Sequence, residues 1–190
     1  TYDIEEEHEI FSPAGTNISN DNFMLNLHGF VGYFEEYKDF PYEISIQKPQ
    51  ELFGATSLTD FDASNSIDLF KLNRYHDVAD NPIMYTIPDT TKFNVDGMEI
   101  LISVYSPNKK HNAKDLKPAM QKMMQAQKKF LGDFNTTEKY SILLYLSTMQ
   151  NDASGFGALE HMTSTTVVMP EDMEKEILEE QLKDVVSHEF

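Results

Sequence analysis

The 190-residue sequence closes on Asp184-Val185-Val186-Ser187-His188-Glu189-Phe190. A histidine followed at once by a glutamate is a pair with chemical meaning. On a helix, two histidines four positions apart project from one face and offer two imidazoles to a zinc ion. The glutamate beside the first then activates a metal-bound water. Read this way, His188 is the first ligand and Glu189 the general base, and the second and third ligands fall beyond residue 190. The dipeptide carries little by itself. A second pair, His8-Glu9, has Ser12 where the partner histidine would stand, and a purely structural reading of a His-Glu pair on a helix competes with the catalytic one.

The elements that must position this pair are legible upstream. Ile177, Leu178, Leu182, Val185 and Val186 form an apolar stripe at helical spacing, so a helix is expected from near Glu171. Glu171, Asp172, Glu174 and Glu176 crowd its first turns, where carboxylates favour the positive end of the helix dipole. No Gly, basic turn or Pro closes it. The natural polypeptide is therefore expected to continue, with this chain as its N-terminal fragment. Before the helix, residues 140–149 read as a strand buried on both faces, 150–157 as a polar glycine-containing loop, and 158–169 as a second strand broken by Pro170. An amphipathic helix is expected over about 113–131, with Leu116, Met120, Met123, Gln127 and Phe130 on one stripe and Gly132 as its C-cap.

Up to about residue 107 the signals are mostly β. Alternation puts Tyr42, Ile44 and Ile46 on one face of one strand, and Ile100, Ile102 and Val104 on one face of another. Asp96-Gly97 is a favoured two-residue hairpin turn. Residues 75–85 read as a short helical turn halted before Pro82. The expected class is α+β: a sandwich-like β-domain over 1–107, then the first, truncated part of an α/β domain over 108–190.

Composition narrows the function. The net charge of −17 repels phosphate backbones and argues against nucleic-acid binding. The acidic runs at 5–9 and 171–180 read as solvated surface. No run approaches the roughly eighteen apolar residues of a membrane span. With no cysteine there is no disulfide scaffold and no thiolate chemistry. The chain suits an exported bacterial protein or a cytosolic one, and the first is favoured. His28, His76 and His111 show no ligand spacing to one another, and the sequons at Asn17 and Asn135 are expected by chance.

Strand, glycine loop, strand bearing Gly157-Ala158-Leu159-Glu160-His161, then a His-Glu helix is the order of parts in thermolysin-like metallopeptidases (gluzincins). The blocks GFGALEHMTSTTVVMP and LKDVVSHEF, with HGFVGYFEEY, DVADNPIMY and YSILLYLS upstream, resemble the glycyl aminopeptidase family of zinc peptidases. The resemblance implies an N-terminal β-domain, a thermolysin-like catalytic domain and a zinc cofactor. It places His188 and Glu189 at the family's zinc-ligand and general-base positions. Residues 157–161 are similar to the Gly-Ala-Met-Glu-Asn motif of aminopeptidase N type enzymes, where the strand pairs with the peptide backbone and the glutamate holds the free amine. Small Gly157 and Ala158 suit close backbone approach, and Glu160 suits an ammonium. His161 stands where that motif has Asn, and no role is carried onto it.

The leading expectation is thus the N-terminal part of a zinc-dependent metallo-aminopeptidase acting on peptides, with the fragment itself inactive and inclined to self-associate. The alternative is a non-catalytic β-domain that binds peptides or proteins.

Overall fold

The computed structural model describes residues 15–19, 21–132, 137–148 and 157–190. The pair His8-Glu9, the acidic run 5–9, the sequon at Asn135 and most of the glycine loop lie outside them.

Short strands β1 (Asn17–Ile18) and β2 (Asn22–Leu25) open the described chain, followed by β3 (Tyr42–Gln47), β4 (Phe53–Ala55) and β5 (Ile67–Leu72). Helix α1 (Tyr75–Ala79) stops short of Pro82, and β6 (Ile83–Thr86) resumes. A four-stranded sheet runs β1-β2-β6-β4, and β3 and β5 pair separately. One face of the four-stranded sheet meets the β3–β5 pair through Leu27, Phe70, Leu72, Ile83 and Tyr85.

The change of sheet falls between Thr86 and Thr90. Strand β7 (Thr90–Val95) turns at Asp96-Gly97 into β8 (Met98–Tyr105). Both turn residues have positive φ, 48° and 89°, as this hairpin type requires. Helix α2 (Ala113–Leu131) follows, then β9 (Lys139–Ser147), β10 (Gly157–His161), β11 (Ser164–Pro170) and α3 (Lys175–Glu189). These strands form one five-stranded sheet, β10-β11-β9-β8-β7. The boundary expected at 107 thus lies one hairpin after the change of sheet, because β7 and β8 join the later strands. β8, β9 and β11 are mutually parallel, with antiparallel β7 and β10 at the edges.

Alternation splits the sheet cleanly. Ile100, Ile102, Val104, Ile142, Leu144, Leu146, Val167 and Met169 face α2 and α3 in the main core. Leu101 and Leu143 face the other way, onto Met24, Ala55 and Met84 of the four-stranded sheet. The order of layers is helices, five-stranded sheet, four-stranded sheet, two-stranded sheet. The class is α+β, as expected.

Several expectations shift. α3 begins at Lys175, not near Glu171, whose side chain is fully buried rather than solvated. Phe130 and Ile177, placed on the helix stripes, are 85% and 48% exposed. The single strand expected over 158–169 is a hairpin turning at Met162-Thr163.

Candidate functional site

The two sequence blocks meet at one end of the five-stranded sheet. β11 runs out parallel to β9, and α3 returns across β10 and β11 toward the start of β9. The end of α3 is fastened there. Phe190 lies edge-on to Tyr140, ring centres 5.0 Å apart and planes at 84°, and the Gln127 amide donates to Ser187 O at 2.6 Å. His188 is exposed and Glu189 half-buried at this point.

β10 is an edge strand whose one partner is β11, with Ala158 opposite Val167 and Glu160 opposite Thr165. Its outer backbone edge has no strand on it among the described residues, so it is open to pairing with an extended peptide. Ala158 packs on the helix-side core. By the two-residue repeat Glu160 shares that face, and its side chain is exposed.

Tyr140 joins the two blocks. It is buried and shares a short hydrogen bond with the Thr165 hydroxyl. Burial pushes the phenol up to about 12, against the Thr165 hydrogen bond, and the charges of Glu189 and Glu160 add to the rise. Two carboxylates about thirty residues apart in sequence therefore act on one buried hydroxyl, which stays protonated at neutral pH. Neither Tyr140 nor Thr165 was singled out in sequence. Tyr140 reads there as one more member of an apolar strand, and only the pairing of β9 with β11 reveals its partner.

On the opposite face of β10, His161 points to the N-terminal layer. Its Nδ1 lies 3.3 Å from Asp80 Oδ1, and Asp80 Oδ2 accepts the Met162 N–H at 3.0 Å. The Thr163 and Ser57 hydroxyls lie 3.0 and 2.9 Å from Asn81 Oδ1 and 2.7 Å from each other, so their two protons are shared over these three contacts. The loop after α1 thereby holds the β10–β11 turn, which explains a tight turn built without Gly, Asn or Asp.

A catalytic zinc takes three protein ligands. Among the described residues no three His, Cys, Asp or Glu side chains gather to hold a metal, so these residues do not by themselves fit a zinc centre. Nor is any helix among them long and apolar enough to cross a membrane.

The family model of the Peptidase M61 N-terminal domain matches residues 1–87. None of the curated proteins matches the chain. In fold it is similar to the crystal structure of an aminopeptidase N family protein from Idiomarina loihiensis, with a TM-score of 0.78 and 16% identity. The match covers 94% of this chain and 31% of that one, so the chain spans about a third of that protein's length.

Proposed function

We propose that this chain supplies the N-terminal β-domain and the first part of the catalytic domain of a zinc-dependent metallo-aminopeptidase with a thermolysin-like catalytic fold. The observation that carries the reading is that both blocks reach Tyr140. Glu160, on a strand whose outer edge is open among the described residues, lies opposite Thr165, which hydrogen-bonds Tyr140. Phe190, next to Glu189 at the end of α3, packs on the same ring. The peptidase family match over residues 1–87 supports it independently.

In this reading a peptide pairs its backbone with the outer edge of β10, where Gly157 and Ala158 offer no bulk. The exposed Glu160 carboxylate binds the free α-ammonium and sets the register, so that cleavage follows the first residue. Glu189 is the general base, and His188 contributes one metal ligand. The 190 residues alone are expected to hydrolyse nothing, since His188 is one protein ligand where a catalytic zinc takes three. Chelator-sensitive peptidase activity in this chain would contradict that.

The test uses the complete enzyme containing this chain, assayed on a free-amine dipeptide substrate and its N-acetyl counterpart. Glu160→Gln should raise KM for the free-amine substrate about tenfold or more, the scale of one lost charge-assisted contact. Glu189→Gln should instead remove kcat with KM little changed. An unchanged KM in Glu160→Gln sinks the amine anchor, and full activity in Glu189→Gln sinks the catalytic assignment.

A further inference from the structure

A different surface carries an inference that uses none of these residues. Between β2 and β3, Phe30, Tyr33, Phe34, Tyr37 and Phe40 all stand exposed within eleven positions. Large apolar rings gathered in water mark interaction sites far more often than single exposed side chains do. The segment is also held in place. Tyr75 of α1 donates its hydroxyl to Val31 O at 2.8 Å and its N–H to Lys38 O at 2.7 Å. Its ring lies 4.3 Å from that of Tyr33. Phe34, Tyr37 and Phe40 then form a ladder of edge-on contacts, with centres 6.4 and 5.6 Å apart. Those three rings remain 75%, 58% and 56% exposed.

Charge selects what such a surface binds. Glu35, Glu36 and Asp39 are interleaved with the rings, Glu43 follows, and Lys38, the one Lys or Arg between residues 27 and 47, is tied to Glu35. Aromatic faces attract cations through their quadrupole, and carboxylates beside them add to that attraction. The chain makes such a contact within itself, with Lys71 Nζ 5.6 Å from the centre of the Phe61 ring. A second copy would bring the same acidic rim and a net charge of −17. An anionic lipid surface is repelled for the same reason.

We propose that this face docks an arginine- or lysine-rich segment of a separate protein. Cationic groups of that segment lie over Phe34, Tyr37 and Phe40 and pair with Glu35, Glu36 and Asp39. Arginine fits best, since its planar guanidinium stacks and hydrogen-bonds at once.

The test is a fluorescence-anisotropy titration of this chain against a labelled peptide of alternating arginine and glycine, at physiological salt. Saturable binding is expected, weakened tenfold or more by Phe34→Ser with Tyr37→Ser, and equally by Glu35→Lys with Glu36→Lys. The substituted side chains project into water, and unchanged circular dichroism confirms the fold. Undiminished binding by the Phe34/Tyr37 pair would mean that diffuse negative charge suffices, and would overturn the proposal. So would an absence of saturable binding. Equal affinity for an alternating tyrosine–glycine peptide, or for zwitterionic vesicles, overturns it as well. Self-association of the unaltered chain that the Phe34/Tyr37 pair abolishes would give the face to a second copy instead.

Discussion

Gly54 shows how one missing side chain holds a buried charge pair in register. A Cβ built there would lie 2.6 Å from Tyr85 Cε1 and 2.7 Å from Asp68 Oδ2. Asp68 sits 3.8 Å from Lys48 Nζ, both side chains nearly buried, and Lys48 also donates to Leu52 O and Asn65 O at 2.9 and 2.8 Å. Burial raises the Asp68 carboxyl above its ordinary range, against Tyr85 and Lys48, which favour its charged form. Burial first, then the Asp68 carboxylate, drives the Tyr85 phenol well up. Neither neighbour is the free end of a flexible chain: Tyr85 is packed in the core between the sheets, and Asp68 is pinned to Lys48. Gly54→Ala should therefore cost about 1–3 kcal/mol, the range for overpacking a well-filled site. Urea denaturation measures it, and a loss under about 0.5 kcal/mol, the scale of a neutral surface change, would show that Tyr85 can move aside.

At the scale of elements, Glu171 is the latch between β11 and the loop before α2. Its carboxylate accepts from Ser106 Oγ at 2.5 Å, Asn108 N at 2.8 Å and Asn108 Nδ2 at 2.6 Å. Its backbone oxygen meets His111 Nε2 at 3.1 Å. Burial alone would raise its pKa. The Ser106 and Asn108 hydrogen bonds, with the Lys110 charge, outweigh burial and leave it below the ordinary carboxylate value of 4.5. The folded form thus holds its charge more firmly than the unfolded chain does. The resulting stability is fully present above the unfolded pKa and is lost as pH falls through the folded one. Glu171→Gln should cost about 1–3 kcal/mol at pH 7 and flatten the decline in stability below about pH 4.5. Denaturation of both proteins between pH 3 and 7 checks this; parallel curves would assign the acid dependence to other carboxylates. The same residue shows where sequence stops informing. Local periodicity sufficed for the spans of β3, β8 and α2, including the Gly132 cap and the Asp96-Gly97 turn, because each pattern is closed within its own element. It did not suffice for Phe130, which the stripe put inward and the fold leaves exposed. Glu171 read as helix surface because its donors lie more than sixty positions upstream. The β10–β11 turn was missed because Asp80, far earlier in the chain, supplies what a turn residue otherwise would. The Glu160 and Glu189 motifs were visible as residue types, but their meeting at Tyr140 depends on strand order, which no local pattern encodes.

At the scale of the molecule, what joins the N-terminal layers to the rest is thin. Among the described residues the main core holds twenty buried side chains between one sheet and two helices. The contact between the two larger sheets rests on Met24, Ala55, Met84, Leu101 and Leu143. Polar ties flank it: Ser57 with Thr163 at 2.7 Å, Lys139 Nζ to Thr59 at 2.7 Å, and the Tyr105 hydroxyl to Asp21 at 3.0 Å. Among the described residues the N-terminal core has seven buried members, a small core that leans on its neighbour, so the layers should unfold together in one transition. Leu143 is the centre of the contact and completely buried. Leu143→Ala should cost about 2–5 kcal/mol, and the loss should fall unevenly. Helices α2 and α3 report the main core through far-ultraviolet circular dichroism, while the near-ultraviolet band takes in the N-terminal layers as well, through Tyr33, Tyr42, Tyr75 and Tyr85 beside Tyr105, Tyr140 and Tyr145 of the five-stranded sheet. The two signals should coincide in the unaltered chain. In Leu143→Ala the tyrosine signal should begin to fall before the helix signal, since the smaller core has lost its support while the helix-side core keeps its own contacts. Separate transitions in the unaltered chain would refute the coupling. Coincident ones in a Leu143→Ala chain that is destabilised by the full amount would show that the polar ties alone bind the layers into one cooperative unit.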